Sequence, residues 1–350
     1  MIGGKKKCIG LIFGGNSNEH EVSISSAKTV YQAFNSERNK ELFSVKPFYI
    51  SKYGDWLDSD SSEKILIGEI ENTKTKIQAK INFLDGVEFQ NVDVWFPLLH
   101  GFNGEDGSIH GLLRFTKKPL VGCGIIGSAL GMDKILMKTI FSNLKLPQVK
   151  YLVFKNEDLN DEKVKNKLVN EILKKLNFPV FVKPSNSGSS LGISKVKNES
   201  DIIKALEKAR GIDPRILIEE GLEVREIECG IIGNSKLLTS EIGEVNYESD
   251  WYDYDSKYHS NNKIIIPAEI ESKITKEIKE IAIKSCRALN IFGFARVDFF
   301  LEKSSNKILL NEINTIPGFT KNSMFPMLWE ASGLKIEQLV AKLVDISLDL

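Results

Sequence analysis

FARVDFFLEKSSNKILLNEIN, residues 294–314, alternates apolar and polar side chains on both sides of a Lys-Ser-Ser-Asn turn. A period of two puts Arg296 and Asp298 on one face of the first half and Glu312 and Asn314 on one face of the second. A hairpin turning near Ser304 and Ser305 brings those faces together. Asp298, Glu312 and Asn314 then form a set of three oxygen donors, the hard-donor chemistry of Mg²⁺ (or Mn²⁺) shared with phosphates. Arg296 in the same cluster fits neutralisation of a transferring phosphoryl group. A hairpin with two solvated polar faces is the alternative, and this stretch alone leaves it open.

Upstream, FVKPSNSGSSLGISKV, residues 181–196, begins and ends as a buried strand but is interrupted by serines and glycines. Lys183 ends the first apolar run. The loop after it offers backbone amides and hydroxyls able to wrap phosphate oxygens. It lacks the GxxxxGK[ST] order of a P-loop, and a polar hairpin turn with a surface lysine is the competing reading of the loop by itself.

Around these stretches the pattern predicts strands over 7–13, 43–50, 92–99 and 119–121, with helices over 23–34 and 109–115, an open α/β arrangement. One helix is expected over 128–144, stopping before Pro147. A second, α+β unit follows: helices over 161–176 and 200–209, paired strands over 180–183 and 192–196, and a strand over 216–219. Beyond it come a hairpin from Ile227, a helix with Ile274, Ile278, Ile281 and Leu289 on one face, and the opening hairpin. The loop 246–262 is long enough to suspect a lid. Its Trp251, Tyr252, Tyr254 and Tyr258 argue against plain disorder.

The whole chain excludes several classes. With 350 residues, 42% hydrophobic, and 47 basic residues against 47 acidic ones, no net field draws it to nucleic acid or to an anionic membrane. No apolar run reaches the ~18 residues that span a bilayer, and no signal-type segment opens the chain, so a cytoplasmic protein is expected. Cys8, Cys123, Cys229 and Cys286 form no CxxC or Cys/His pattern, which speaks against disulfides or zinc. GCGIIG, residues 122–127, has the letters of a dinucleotide fingerprint, yet no acidic residue stands about twenty positions on to hold a ribose. Glu19, His20 and Glu21 near a helix start, and His100 closing an apolar strand before a Gly-rich acidic turn, are further candidates. Each has a structural reading too, as helix-end acids and as a satisfied core histidine.

Taken in order, GGNSNEHEVSISSA, LLHGFNGEDGSIHGLL, GSALGMDK, FVKPSNSGSSLGISKV, LIEEGLEVREIECGIIG, YDYDSKY, FARVDFFL and NEINTIPGFTKNSMFP resemble the D-alanine:D-alanine ligases of the ATP-grasp superfamily, from about Ile9 to Gly333. The resemblance implies an ATP-grasp fold preceded by an open α/β domain. Its parts are an N-terminal substrate domain (1–125), a central subdomain with the phosphate loop (126–224) and a C-terminal subdomain with lid and metal site (225–350). It implies small-molecule substrates, ATP and D-alanine, two Mg²⁺ ions, and a homodimer formed through the N-terminal domain. Lys134 and Lys183 are then expected at the ATP phosphates, with Glu219 and Glu226 at adenine edge and ribose. Tyr252 and Lys257 join the nucleotide site. Asp298, Glu312 and Asn314 hold the metals. Glu19 takes the ammonium of the first D-alanine, with His100 near its carboxylate, and forms a triad with Ser189 and Tyr258. Lys257, Arg296, Gly318 and Ser323 meet the transferred phosphate or the second substrate, with the apolar Met324 beside them. Gly221 departs from many relatives, which carry a larger residue beside adenine.

Overall fold

The computed structural model describes residues 5–69, 80–81, 89–246 and 263–349. The lid expected over 246–262, with Trp251, Tyr252, Tyr254, Lys257 and Tyr258, lies outside the described residues from 247 onward.

KCIGLIFG forms the strand Lys7–Gly14, flanked in parallel by Phe43–Ile50 and Val94–Pro97. Both faces are buried, as parallel sheets require. Ile9, Leu11 and Phe13 meet the helix His20–Phe34 and, from the far end of the chain, Leu339, Val340 and Leu343 of the helix Ile336–Leu348. Ile12 on the other face packs with Phe48, Trp95 and Ile109. Gly10 lies on that face because an added Cβ would sit 2.4 Å from the Trp95 ring.

Two further sheets are antiparallel. One has the order Tyr151–Lys155, Arg215–Glu220, Val180–Pro184, Ser194–Val196. Val180, Val182, Ile216 and Ile218 face the helices Glu162–Lys175 and Ile202–Arg210. By alternation, Phe181, Lys183 and Glu219 face the other way. The larger sheet runs Lys263–Ile265, Leu237–Asn246, Val224–Gly233, Gly293–Glu302, Ile308–Asn314. Cys229, Val297 and Ile313 line one face against Met137 and Phe141 of the helix Lys134–Asn143 and Ile278 of Ser272–Ala288.

Three expectations change, and the rejection of GCGIIG as a dinucleotide site gains a packing reason. The first helix starts at His20 rather than Ser23. The expected strand 119–121 reduces to one bridge, Leu120 to Trp95. The helix expected over 128–144 is two, Ile125–Met132 and Lys134–Asn143, because Asp133 in an extended conformation accepts from the N–H groups of Ile135 and Leu136, both at 3.1 Å, and so starts a new helix. In GCGIIG the glycines serve packing: a Cβ on Gly127 would lie 2.3 Å from Cys123 Sγ and 2.7 Å from the Asn290 carbonyl oxygen.

Candidate active site

The cleft-facing sides of the two antiparallel sheets, with the ends of the parallel strands, enclose a cleft of about 1670 Å³. Its volume exceeds the ~300–1,000 Å³ of a pocket for one drug-sized ligand. Glu19, Glu21, His100, Lys134, Lys183, Ser189, Glu219, Glu226, Arg296, Asp298, Glu312, Asn314, Gly318, Ser323 and Met324 line it, whereas His20 does not: its ring is buried between the Gly15 carbonyl and the Tyr49 hydroxyl. Tyr252, Lys257 and Tyr258 lie outside the described residues.

Glu19 precedes the first helix, and the Ser189 hydroxyl donates to its Oε1 across the cleft. Ser189 and Ser190 both sit at positive φ, 47° and 58°, a conformation L-residues avoid and which persists only when surroundings dictate it. Here it turns the Ser189 hydroxyl toward Glu19. Two glycines form the cradle: a Cβ on Gly101 would approach Glu19 Oε2 to 2.5 Å and one on Gly188 to 2.8 Å.

His100 is buried, its Nδ1 3.0 Å from the Ile316 carbonyl oxygen and its Nε2 3.0 Å from Ser26 Oγ. A carbonyl only accepts, so Nδ1 carries a proton, and Nε2 shares a hydrogen bond with the Ser26 hydroxyl. Ser26 Oγ in turn accepts from the Phe319 N–H at 3.1 Å. The ring therefore ties the N-terminal domain to the 316–319 loop that carries Gly318. Where the sequence placed His100 beside a substrate carboxylate, the structure engages both ring nitrogens with protein.

The helix break at Asp133 sets Lys134. Asp133 also accepts from the Ser185 hydroxyl at 2.8 Å and pairs with Arg215 at 2.6 Å, and the Lys134 N–H donates to the Ser185 carbonyl. Lys134 Nζ then donates to the Ser187 carbonyl at 2.7 Å and stands 3.7 Å from Glu312 Oε2. Burial alone would raise the Asp133 carboxyl, but the Leu136 N–H, Ser185 and Arg215 outweigh it and hold it below the usual aspartate value. That contribution to stability is complete above the unfolded value near 3.9 and is lost as pH falls through the lowered folded value. Asp133→Ala is expected to lower the unfolding free energy by ~2 kcal/mol at pH 7, a helix cap plus buried hydrogen bonds. Urea unfolding should show the difference shrinking as the pH is taken down past the folded value.

Lys183 Nζ lies 2.5 Å from Glu219, whose other oxygen is 2.5 Å from Lys138. Burial by itself lowers the Lys183 ammonium, but the Glu219 carboxylate outweighs it and the value stands above the ordinary one. Burial would raise Glu219, yet Lys138 and Lys183 pull its carboxyl down to about 2. Sequence reasoning missed Lys138, which reads as an ordinary lysine on an amphipathic helix. Gly221 also has a local cause: its Cβ would lie 2.7 Å from the Pro179 carbonyl oxygen and 2.8 Å from the Phe181 ring. A larger side chain does not fit beside that backbone.

On the large sheet, register puts Glu228, Asp298 and Glu312 directly side by side across three strands. Arg296 holds Asp298 with two bonds of 2.7 Å and meets Glu228 at 2.8 Å. Asn314 Nδ2 donates to Asp298 Oδ2 at 2.8 Å. Glu228 was not foreseen, although a glutamate inside the apolar run IECGIIG was a visible signal. Among the described residues no three His, Cys, Asp or Glu side chains stand close enough together to hold an ion as placed. The donor chemistry nevertheless fits a hard cation: Glu228, Asp298 and Glu312 are register neighbours, with the Asn314 amide on Asp298 and the Arg296 guanidinium on Asp298 and Glu228. Ser323 Oγ accepts from the Thr320 N–H at 3.0 Å and closes the 318–323 turn, where a Cβ on Gly318 would lie 2.8 Å from it. Met324 is buried; its Sδ would be 2.8 Å from a Cβ on Gly243.

Residues 8–123 match the family described as D-ala D-ala ligase N-terminus, and residues 140–345 the one described as D-ala D-ala ligase C-terminus. The chain is 88% identical to a D-alanine–D-alanine ligase of Prochlorococcus marinus strain MIT 9301, with 100% of each covered. It is 48% identical to that of strain NATL2A over 98% of each. Among solved structures it is similar to the VanG D-Ala:D-Ser ligase from Enterococcus faecalis, with a TM-score of 0.83 and 33% identity over 98% of this chain and 100% of that one. It is similar also to the D-alanine-D-alanine ligase from Coxiella burnetii, with a TM-score of 0.80 and 31% identity over 99% and 95%.

Proposed function

The chain belongs to the D-alanine–D-alanine ligase family, and from that premise we propose how its cleft joins two D-alanine molecules with ATP. It is an ATP-dependent ligase of ATP-grasp architecture whose product, D-alanyl-D-alanine, serves peptidoglycan precursor synthesis. The carboxylate of the first D-alanine attacks the γ-phosphorus, forming D-alanyl phosphate and releasing ADP. The amine of the second then attacks the acyl carbon, phosphate leaves, and the amine gives up a proton.

The residues act by position and charge. Glu19 takes the ammonium of the first D-alanine, oriented by Ser189, while His100 steadies the 316–319 loop beside the substrate carboxylate. Lys134 and Lys183 bind the nucleotide phosphates; Glu219 and Glu226 line the adenine and ribose end. Arg296, Gly318 and Ser323 receive the transferred phosphate and the second substrate's carboxylate. Tyr252, Lys257 and Tyr258 belong to the lid of this reading, which keeps water from the acyl phosphate. Asp298, Glu312 and Asn314 would hold two Mg²⁺ (or Mn²⁺) ions, which when bound neutralise phosphate charge. Three parts, 1–125, 126–224 and 225–350, carry these roles. Among the described residues no helix is long and apolar enough to cross a membrane, and we place the protein in the cytoplasm, as a homodimer through its N-terminal domain.

The observation that carries this reading is the Ser189–Glu19 contact, which joins the phosphate loop to the substrate domain across the cleft. The buried, apolar Met324 supports D-alanine over D-serine as second substrate, since a polar hydroxyl finds no partner in a thioether. ADP release should require D-alanine. With D-alanine, D-serine and D-lactate offered together at pH 7, mass spectrometry should find D-alanyl-D-alanine in ~10-fold excess, about the discrimination a single unpaired hydroxyl supports. A mixture dominated by the serine peptide or the lactate ester would overturn the assignment.

A further inference from the structure

Two ammonium groups meet the buried Glu219 carboxylate, and only one of them has a role so far. The Glu219 and Lys138 side chains are each 2% exposed, and Lys183, at the cleft wall, is 13% exposed. Lys138 comes from the helix Lys134–Asn143, one turn beyond Lys134. Tyr151, directly across the sheet from Glu219, has its ring centroid 5.8 Å from Lys138 Nζ. Among the described residues, the charged and titratable groups facing the carboxylate are therefore Lys138, Lys183 and Tyr151, with Glu226 and Glu312 acting on Lys183 across the cleft.

One lysine would neutralise Glu219. Stability does not call for the second, since apolar replacement of buried ion pairs is often neutral or stabilising. A lone Lys183–Glu219 pair would, however, obstruct phosphate binding: Lys183 could turn to a nucleotide only by leaving a buried carboxylate uncompensated, which is strongly unfavourable. Lys138, too deep to reach the cleft, can stay with Glu219 while Lys183 moves.

We propose that Lys138 is a positioning residue whose charge holds Glu219 so that Lys183 can be given to the ATP phosphates; this rests on the reading of Lys183 as a phosphate ligand. The helix Lys134–Asn143 thereby serves the nucleotide twice, with Lys134 directly and with Lys138 through Glu219.

ATP binding by calorimetry tests this in Lys138→Met, Lys138→Arg and Lys183→Met. Lys138→Met should weaken ATP binding ~10²-fold at pH 8, the scale of stranding a buried charge. Without Lys138 the Glu219 carboxyl loses one of the two cations that hold it down, so its value moves upward and acid favours the neutral carboxyl that frees Lys183. Affinity should then recover ~10-fold between pH 8 and pH 6, about one pKa unit of linkage, while the wild type shows no such recovery. Lys138→Arg should stay within ~5-fold of wild type because the charge is kept. Unchanged affinity in Lys138→Met, or a loss without recovery in acid, overturns the positioning role, provided Lys183→Met binds ATP poorly at every pH. If Lys183→Met binds ATP as the wild type does, the phosphate reading of Lys183 fails and the proposal with it. Should Lys138→Met not fold, the double variant Lys138→Met/Glu219→Gln, which strands no charge, is compared with Glu219→Gln. Equal affinity within ~3-fold supports the role, and a further loss of ~10-fold overturns it.

Discussion

Glu312→Gln is expected to lower turnover at least ~10²-fold, the scale of removing one preorganised charge-stabilising group, while the fold stays intact. Glu312 stands beside Asp298 in the carboxylate row, with a side chain 31% exposed. Its ion pair with Lys134 is a loose 3.7 Å. The substitution keeps the shape and one acceptor oxygen, and the pair it weakens is long and only partly buried, so thermal unfolding should move little, by about 1 kcal/mol or less. What it removes is negative charge where phosphate-bound cations are proposed to sit. Steady-state ADP release across a Mg²⁺ titration, beside a circular-dichroism melt, makes the check. Turnover near wild type at ordinary Mg²⁺ would refute the metal role, and a large drop in melting temperature would show Glu312 to be a structural brace instead.

Glu19→Gln should raise KM for the first D-alanine ~10²-fold, since the ammonium exchanges a carboxylate for a neutral amide oxygen and the substrate charge loses its counter-charge. ATP affinity, measured separately, should stay within ~3-fold because the nucleotide phosphates are assigned to other side chains. The cradle offers an independent test. Gly188→Ala puts a methyl group 2.8 Å from Glu19 Oε2, and Gly101→Ala puts one at 2.5 Å with a φ of +75° that disfavours alanine as well. Both should displace the carboxylate and cost activity on the order of 10²-fold, as ~1 Å misplacements do. If Gly188→Ala keeps the wild-type KM for D-alanine, Glu19 is not the ammonium ligand. Loss of ATP binding in Glu19→Gln would instead place Glu19 at the nucleotide.

Local pattern carried much of this protein. Alternation over residues 294–314 puts Asp298 and Glu312 on facing strand positions, and the observed register pairs them directly. The serine and glycine loop after Lys183, the order of motifs and the amphipathic helices were legible for the same reason: each depends on side chains a few residues apart. The cap at Asp133 was not read, because the unbroken apolar pattern on either side of it predicts one helix over 128–144 where the structure has two. Tertiary structure alone decided the rest. Whether Lys138 is solvated or buried depends on the strand that brings Glu219 beneath its helix. Whether Glu228 joins Asp298 depends on strand register between distant segments. That the C-terminal helix completes the N-terminal core follows no local rule either. Helical and strand periodicities state which side chains share a face; only the packing of one element on another states what that face meets, and for a buried charge the partner it meets determines its protonation, its energy and its use.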